Sequence, residues 1–170
     1  MDRVPLMLDY IKEDMVESIE GWQQQVLSSD NAGIKTVIIG MLEKVSSPED
    51  YLVISYLRSS YLTGSHCFKV AIYNQVPYVE AFPIQELLDM TSHYQDVDEA
   101  FQLLVKKLKT KFMNMFDCEI EGVRRFYMEQ LYFGSLPFFQ KIAEELAESQ
   151  GETPLLFGGE MDETYQIGVI

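Results

Sequence analysis

The most informative stretch of this 170-residue chain is YLVISYLRSSYLTGSHCFKVAIYNQVPYVEA, residues 51–81. β-Branched and aromatic residues are concentrated in it, and turn-forming residues recur at short intervals. This pattern is typical of an antiparallel β-meander. We predict strands over residues 52–61, 67–73 and 77–80, with turns at 63–65 and 74–75.

The first of these strands has an alternative. Residues 47–50 read Ser-Pro-Glu-Asp, which places a capping residue, a proline and two acids in the order found at helix N-termini. A helix over residues 48–62 would use this start signal. The sequence leaves strand and helix open for this segment.

The flanking segments have helical periodicity. In residues 8–26, one apolar stripe recurs at intervals of three or four residues: Leu8, Ile11, Met15, Ile19, Trp22 and Val26. We predict further helices over residues 34–45, 83–90, 97–115, 120–134 and 135–151. The sequence therefore predicts an α+β fold, with about five or six helices packed on a small antiparallel meander.

The composition supports one folded domain. Hydrophobic residue types make up 47% of the chain and charged types 24%, which is enough apolar material for a sizeable core. We assign residues 1–150 to a single globular α+β domain. Residues 151–170 form an acidic C-terminal tail or strand that belongs either to this domain or to an interface.

The tail has its own strand signal. Tyr165, Ile167 and Val169 alternate with smaller or polar residues. A strand of this kind needs a partner, which is either the meander of its own chain or a sheet edge in a neighbouring molecule. We name these three side chains as candidate interface residues.

The charge of the chain is strongly negative. It contains 13 basic and 27 acidic residues, for a formal net charge of −14, which argues against nucleic acid as a partner. The one basic run is Lys106, Lys107, Lys109 and Lys111. Export signals and long apolar runs are not seen in the sequence, so we expect a cytoplasmic protein without a membrane partner.

The residues that usually carry catalysis are sparse. Cys67 and Cys118 are too far apart for a CxxC motif, and we expect both to be reduced and buried as small apolar residues. His66 and His93 lack the spacing of helix-based metal ligands. Neither a nucleophile motif nor a nucleotide-binding loop is found. We therefore expect no metal and no cofactor, and whether the chain is an enzyme stays open.

A polar cluster surrounds the first predicted hairpin turn. Its candidate ligand-binding residues are Arg58, Ser60, Tyr61, Thr63 and His66. A guanidinium and several hydroxyls can bind an anion. The alternative is that the hydroxyls satisfy the turn and Arg58 pairs with an acid.

A second polar cluster lies on a predicted helix. Arg125 and Glu129 are four residues apart, the spacing of an ion pair along a helix. Arg124 falls beside the apolar stripe of Val123 and Tyr127 and is suited to pair with a carboxylate of another element. This cluster of Arg124, Arg125 and Glu129 has either a structural or a functional role.

Three hypotheses for function follow. The first is a non-enzymatic module for protein interaction or self-association, because the tail and the first helix have apolar faces that another subunit can share. The second is a binder of a small anionic ligand, or an enzyme, with its site near residues 58–66. The third holds that these polar residues serve only the fold.

Overall fold

The computed structural model describes residues 3–74, 84–147, 153–159 and 164–170, apart from the side chains of residues 61 and 62. The α-helices within these ranges are α1 (Val4–Tyr10), α2 (Lys12–Ser28), α3 (Ala32–Leu42), α4 (Arg58–Thr63), α5 (Val97–Lys111), α6 (Asp117–Gly134) and α7 (Leu136–Ala147), with a 3₁₀ helix at Thr91–Tyr94. The strands are β1 (Tyr51–Tyr56), β2 (Cys67–Tyr73), β3 (Ile84–Asp89), β4 (Pro154–Gly159) and β5 (Thr164–Val169). The predicted α+β fold is confirmed.

The strands form one mostly antiparallel sheet in the order β3-β2-β1-β4-β5. The register pairs Tyr51 with Tyr73 in the first hairpin, and Ile72 with Ile84 in the second. A meander of β1, β2 and β3 is therefore present, and the strand predicted over 67–73 is confirmed. The strand predicted over 77–80 lies outside the described residues.

The helix predicted over residues 83–90 is wrong, because this segment contains β3. Its sequence IQELLD has no proline or glycine and suits a short helix as well as a strand. Pairing with β2 along all six residues satisfies its backbone groups and buries Leu88. Tertiary pairing therefore outweighs local propensity here.

Residues 48–62 combine the two structures that the sequence left open. They form a strand up to Tyr56 and a helix from Arg58. The strand lies between β2 and β4, and its residues from Leu52 to Tyr56 are buried. Gly64 ends α4 with φ of +66°, a left-handed conformation that glycine adopts at low cost.

The C-terminal tail pairs with its own chain. Strand β4 is parallel to β1, and β5 is antiparallel to β4. Leu155 and Phe157 of β4 are fully buried. Of the two partners considered for the tail, the structure therefore shows the sheet of its own chain.

The chain divides into two compact units. We call residues 3–28 and 94–135 the helical unit, which contains α1, α2, α5 and α6; residues 29–93 and 136–170 are the sheet unit. The assignment of residues 1–150 to one domain remains a prediction.

The helical unit buries most of the predicted apolar stripe, and Leu8 and Ile19 are half-buried. Met15, Trp22 and Val26 lie in its core, and the helix predicted over residues 8–26 is divided at Ile11 into α1 and α2. In the sheet unit, α7 packs on β4 and β5. The Phe139 ring of α7 contacts the rings of Phe68 and Phe157 at centroid distances of 5.5 and 5.4 Å.

Candidate interaction surface

An apolar groove runs between α2 and α6 of the helical unit. It consists of two adjoining cavities of about 450 and 320 Å³ that share Val16 and Gln130 as lining residues. We call it the α2–α6 groove. Its lining residues include Leu8, Lys12, Val16, Ile19, Glu20, Gln23, Phe126, Gln130, Phe133 and Gly134.

Three large apolar side chains of this groove are exposed. Val16 is 44% exposed, Phe126 37% and Phe133 43%. On α6, residues 126, 130 and 133 follow the i, i+4, i+7 spacing of one helix face. Exposed apolar side chains that share a face and line a groove are typical of interaction sites, whereas isolated ones need no explanation.

Two hydrogen bonds hold the walls of the groove together. The Gln23 Nε2 atom donates to the Gly134 carbonyl oxygen at 3.0 Å, and the hydroxyls of Ser18 and Tyr127 are 2.8 Å apart. A Cβ atom at Gly134 would lie 3.0 Å from Gln23 Nε2. The end of α6 therefore approaches α2 closely because residue 134 lacks a side chain.

The charges along the groove are asymmetric. Lys12 and Asp9 line one cavity and Glu20 the other, and all three residues are exposed. In the described part of the chain, neither Lys12 nor Glu20 has an ion-pair partner within 4 Å. Nearby charged groups do have ion-pair partners. Asp14 pairs with Lys107, which lowers the pKa of the Asp14 carboxyl, and Arg3 lies 3.5 Å from Glu119. Lys12 and Glu20 are thus available to a partner.

A larger cavity of about 570 Å³ also lies in the helical unit. Its charged lining residues balance, with Asp9, Glu13 and Asp14 against Lys12, Lys107 and Lys111. The Lys107 ammonium is paired with Asp14, and Lys111 Nζ lies 4.4 Å from the centre of the Tyr10 ring. Because its charges compensate one another, this cavity indicates no particular ligand.

The predicted cluster on α6 forms ion pairs within the helical unit. Arg125 Nε lies 3.3 Å from Glu129 Oε1, one turn along the helix. Arg124 Nη2 lies 3.0 Å from Asp98 Oδ1 and so joins α6 to α5. Cys118, on the first turn of the same helix, is exposed, and Cys67 is half-buried, so the prediction that both thiols are buried is wrong.

The predicted ligand-binding cluster lies in the sheet unit, in α4 and the turn that joins α4 to β2. The buried Ser60 hydroxyl donates to the Cys67 carbonyl oxygen at 3.0 Å and accepts from the Cys67 N–H at 3.1 Å. Thr63 Oγ1 donates to Ser65 Oγ at 2.9 Å. These hydroxyls therefore form hydrogen bonds within the turn.

Arg58 and His66, two other members of that cluster, differ in their exposure to solvent. Arg58 is exposed at the start of α4, whereas His66 is buried with φ of +43°. The His66 carbonyl oxygen accepts the Met90 N–H at 3.1 Å. The side chain of Tyr61 lies outside the described residues. Binding of an anion by this cluster remains a prediction.

The predicted interface residues of β5 do not share one face. A register irregularity between Leu155 and Leu156 places Tyr165 opposite Phe157, and Val169 opposite Pro154. Phe157 and Pro154 are an odd number of residues apart, so their side chains point to opposite faces of the sheet. The extra residue, Ile167, breaks the alternation, and such a bulge makes an edge strand harder to pair.

No family model, curated protein or solved structure matches this chain. Over the described ranges, no helix has both the length and the apolar character needed to cross a membrane. The same ranges contain no group of three His, Cys, Asp or Glu side chains placed to hold a metal ion.

Sequence patterns alone did not reveal most of the groove. Leu8 and Ile19 belong to the predicted stripe of residues 8–26, but Val16 lies outside it, and Phe126 and Phe133 lie outside the apolar stripe of Val123 and Tyr127. Their one available signal is that they are large apolar residues off the core stripe of their helices. The sequence could not show that α2 and α6 are neighbours, which is what joins these residues into one surface.

Proposed function

We propose that this chain is a protein-interaction module and that the α2–α6 groove is its docking surface. The groove's occupant is an amphipathic helix with an acidic residue facing Lys12 and a basic residue facing Glu20. The observation that supports this function is the exposure of Val16, Phe126 and Phe133 along one groove. Helix-in-groove docking is a common mode of peptide recognition.

The dimensions of the groove suit a short helix. Lys12 and Gln23 mark its extent along α2, and eleven residues of helix rise about 16 Å, or three turns. Three turns present apolar residues at i, i+4 and i+7, which is one for each exposed apolar side chain of the groove. The occupant therefore needs no more than about twelve residues of helix.

The expected affinity is modest. Burial of three half-exposed apolar side chains contributes on the order of 1 kcal/mol each. Association costs several kcal/mol in translational and rotational freedom, so binding also needs the burial of the occupant's own apolar residues, and we expect a weak and reversible complex. The unpaired charges of Lys12 and Glu20 contribute to the orientation of the bound helix more than to its affinity.

The test uses a designed helical peptide labelled with fluorescein. It carries leucine at i, i+4 and i+7, glutamate at one end and lysine at the other. Fluorescence anisotropy should show saturable binding to the full chain, with at least about tenfold weaker binding to V16D and F133D. The matched control is L103D, because Leu103 is 63% exposed on α5 outside the groove.

The variants must first be shown by far-UV circular dichroism to keep the helix content of the parent chain. L103D should bind the peptide as the parent chain does. Equal binding by V16D and the parent chain, or no binding of the peptide at all, would contradict the proposed docking surface.

A further inference from the structure

The centre of the α2–α6 groove contains an amide. Gln130 lines both cavities, and it lies about one turn from Phe126 and one turn from Phe133 on the same face of α6. The row of side chains along this wall therefore reads phenylalanine, glutamine, phenylalanine. Val16 stands on the other wall and is the second residue that the two cavities share.

The Gln130 side chain is half-buried, yet it has no hydrogen-bond partner in the described part of the chain. The other amide of the groove is used within the fold, since Gln23 Nε2 donates to the Gly134 carbonyl oxygen at 3.0 Å. A primary amide has two N–H donors and an oxygen that accepts. Water can satisfy these groups of Gln130 only while the groove is open to solvent.

We infer that Gln130 selects the occupant of the groove, and that the docked helix carries an amide or hydroxyl side chain opposite it. This inference rests on the proposed function. A docked helix excludes water from the centre of the groove, and an amide left there without a partner weakens binding. A polar side chain on the occupant replaces the lost water, whereas a leucine does not. Gln130 is thus a specificity-determining residue within an apolar docking surface.

The geometry of a helix limits where this polar side chain can stand on the occupant. With apolar residues at i, i+4 and i+7, position i+3 lies about 70° to one side of the apolar stripe and position i+8 about 70° to the other. The direction in which the occupant runs decides which of these two positions faces α6 and so reaches Gln130. The occupant therefore has three apolar residues in its stripe and one amide or hydroxyl residue on the edge that faces α6.

The experiment is a double-mutant cycle between the full chain and the designed peptide. Three versions of the fluorescein-labelled peptide carry glutamine, alanine or leucine at i+3, and three more carry the same residues at i+8. Fluorescence anisotropy should show roughly tenfold tighter binding for glutamine than for leucine at one of these two positions. Because the same peptides are used with every variant of the chain, differences in their helix propensity cancel in the cycle.

Substitutions of Gln130 supply the other side of the cycle. Q130L should bind the leucine peptide at least as tightly as the parent chain does, and it should lose the preference for glutamine. Q130E should bind a peptide with lysine at the selected position about threefold to tenfold more tightly than one with glutamate there. The matched control is Q102L, because Gln102 is exposed on α5 outside the groove. Q102L should keep the peptide preferences of the parent chain, and far-UV circular dichroism should show that all three variants keep its helix content.

The outcomes separate this inference from the proposed function. If the alanine peptides bind and V16D weakens their binding, but the parent chain shows no preference for glutamine at i+3 or i+8, selection by Gln130 is overturned and the docking surface stands. If the preference for glutamine persists unchanged in Q130L, another residue is responsible and the inference is again wrong. If no version of the peptide binds, both the docking surface and the inference are wrong.

Discussion

Gly168 of β5 lies directly against Ala143 of α7. A Cβ atom built at residue 168 would be 2.7 Å from the Ala143 Cβ, closer than real side chains approach one another. Helix α7 therefore packs on the terminal strand at a distance that only glycine allows. The φ of Gly168 is not in the left-handed region, so the requirement concerns space and not backbone conformation.

The substitution G168A should lower the free energy of unfolding by about 1–3 kcal/mol, because α7 and β5 must move apart. Replacing Ala143 with glycine removes the opposing methyl group and makes room for the new methyl group at residue 168. A143G alone should cost about 1 kcal/mol or more through loss of helix propensity and packing. The double variant G168A/A143G should therefore be more stable than the sum of the single effects predicts.

Urea unfolding of the four proteins measures this coupling. Additive effects of the two substitutions would show that residues 143 and 168 do not constrain each other. G33A is a suitable control, because a Cβ at Gly33 of α3 meets no atom within 4 Å.

Ser60 carries a second prediction. Its hydroxyl is the partner of both the N–H and the carbonyl oxygen of Cys67. S60A should lower the free energy of unfolding by about 1–3 kcal/mol, because two backbone groups lose a hydrogen bond in a partly buried turn. T63A, at an exposed position of the same turn, should cost less than about 0.5 kcal/mol.

Urea unfolding and phosphate titration should be run on the same two variants. If the role of Ser60 is structural, S60A should lose stability, and phosphate should not change the urea midpoint of either variant. If S60A instead kept the stability of the parent chain but lost an interaction with phosphate, the result would support the predicted anion site.

The sequence indicates those elements whose signals are local. Strand β2 and helices α5 and α6 follow from apolar periodicity, and α5 also has acids in its first turn and lysines in its last. Strand β3 could not be predicted, because six residues are too few to distinguish the periodicity of a helix from that of a strand. The parallel pairing of β1 with β4 joins segments about a hundred residues apart, and no local pattern encodes it.

The candidate site shows the same limit. Arg125 and Glu129 were paired from spacing because both lie on one helix. The partner of Arg124 could be named only as a carboxylate of another element, and the structure shows that it is Asp98 of α5. The α2–α6 groove depends on two helices about a hundred residues apart in sequence, so its apolar walls looked like ordinary surface residues.

His93 should make stability depend on pH. Its half-buried ring lies 5.5 Å from the Phe138 ring, and desolvation lowers the pKa of the imidazole, although the Asp30 backbone partly opposes this. The unfolded chain then binds a proton at a higher pH than the folded chain. The free energy of unfolding should therefore fall as the pH drops below about 6.5, until the folded-state pKa is reached.

Urea midpoints measured between about pH 7.5 and pH 5 test this expectation. H93Q should be less stable than the parent chain at neutral pH and should show a flatter pH dependence in that range. Asp89, whose pKa is lowered mainly by its hydrogen bond from Thr91, should act only at lower pH. An unchanged slope in H93Q would mean that another group is responsible.

Tyr94 should remain protonated in alkali for as long as the helical unit stays folded. Burial raises the pKa of its phenol well above the usual value, with the nearby Tyr132 adding to the effect. Because the folded-state pKa is raised, its contribution to stability is complete below about pH 10 and is lost as the pH rises further. The ring lies 4.9 Å from that of Trp22, the single tryptophan of the chain, so Trp22 fluorescence reports on the same core.

A jump to about pH 11 separates exposed from buried phenols. Exposed tyrosines should ionise within the mixing time, whereas the absorbance change from Tyr94 should appear at the rate at which Trp22 fluorescence reports unfolding. Y94F should remove amplitude from this slow phase and leave the fast phase unchanged. The slow phase should not vanish, because burial also raises the pKa of Tyr127 in the same unit. If Y94F instead reduced the fast phase, Tyr94 would be open to solvent and the packing of Trp22 against it would be wrong.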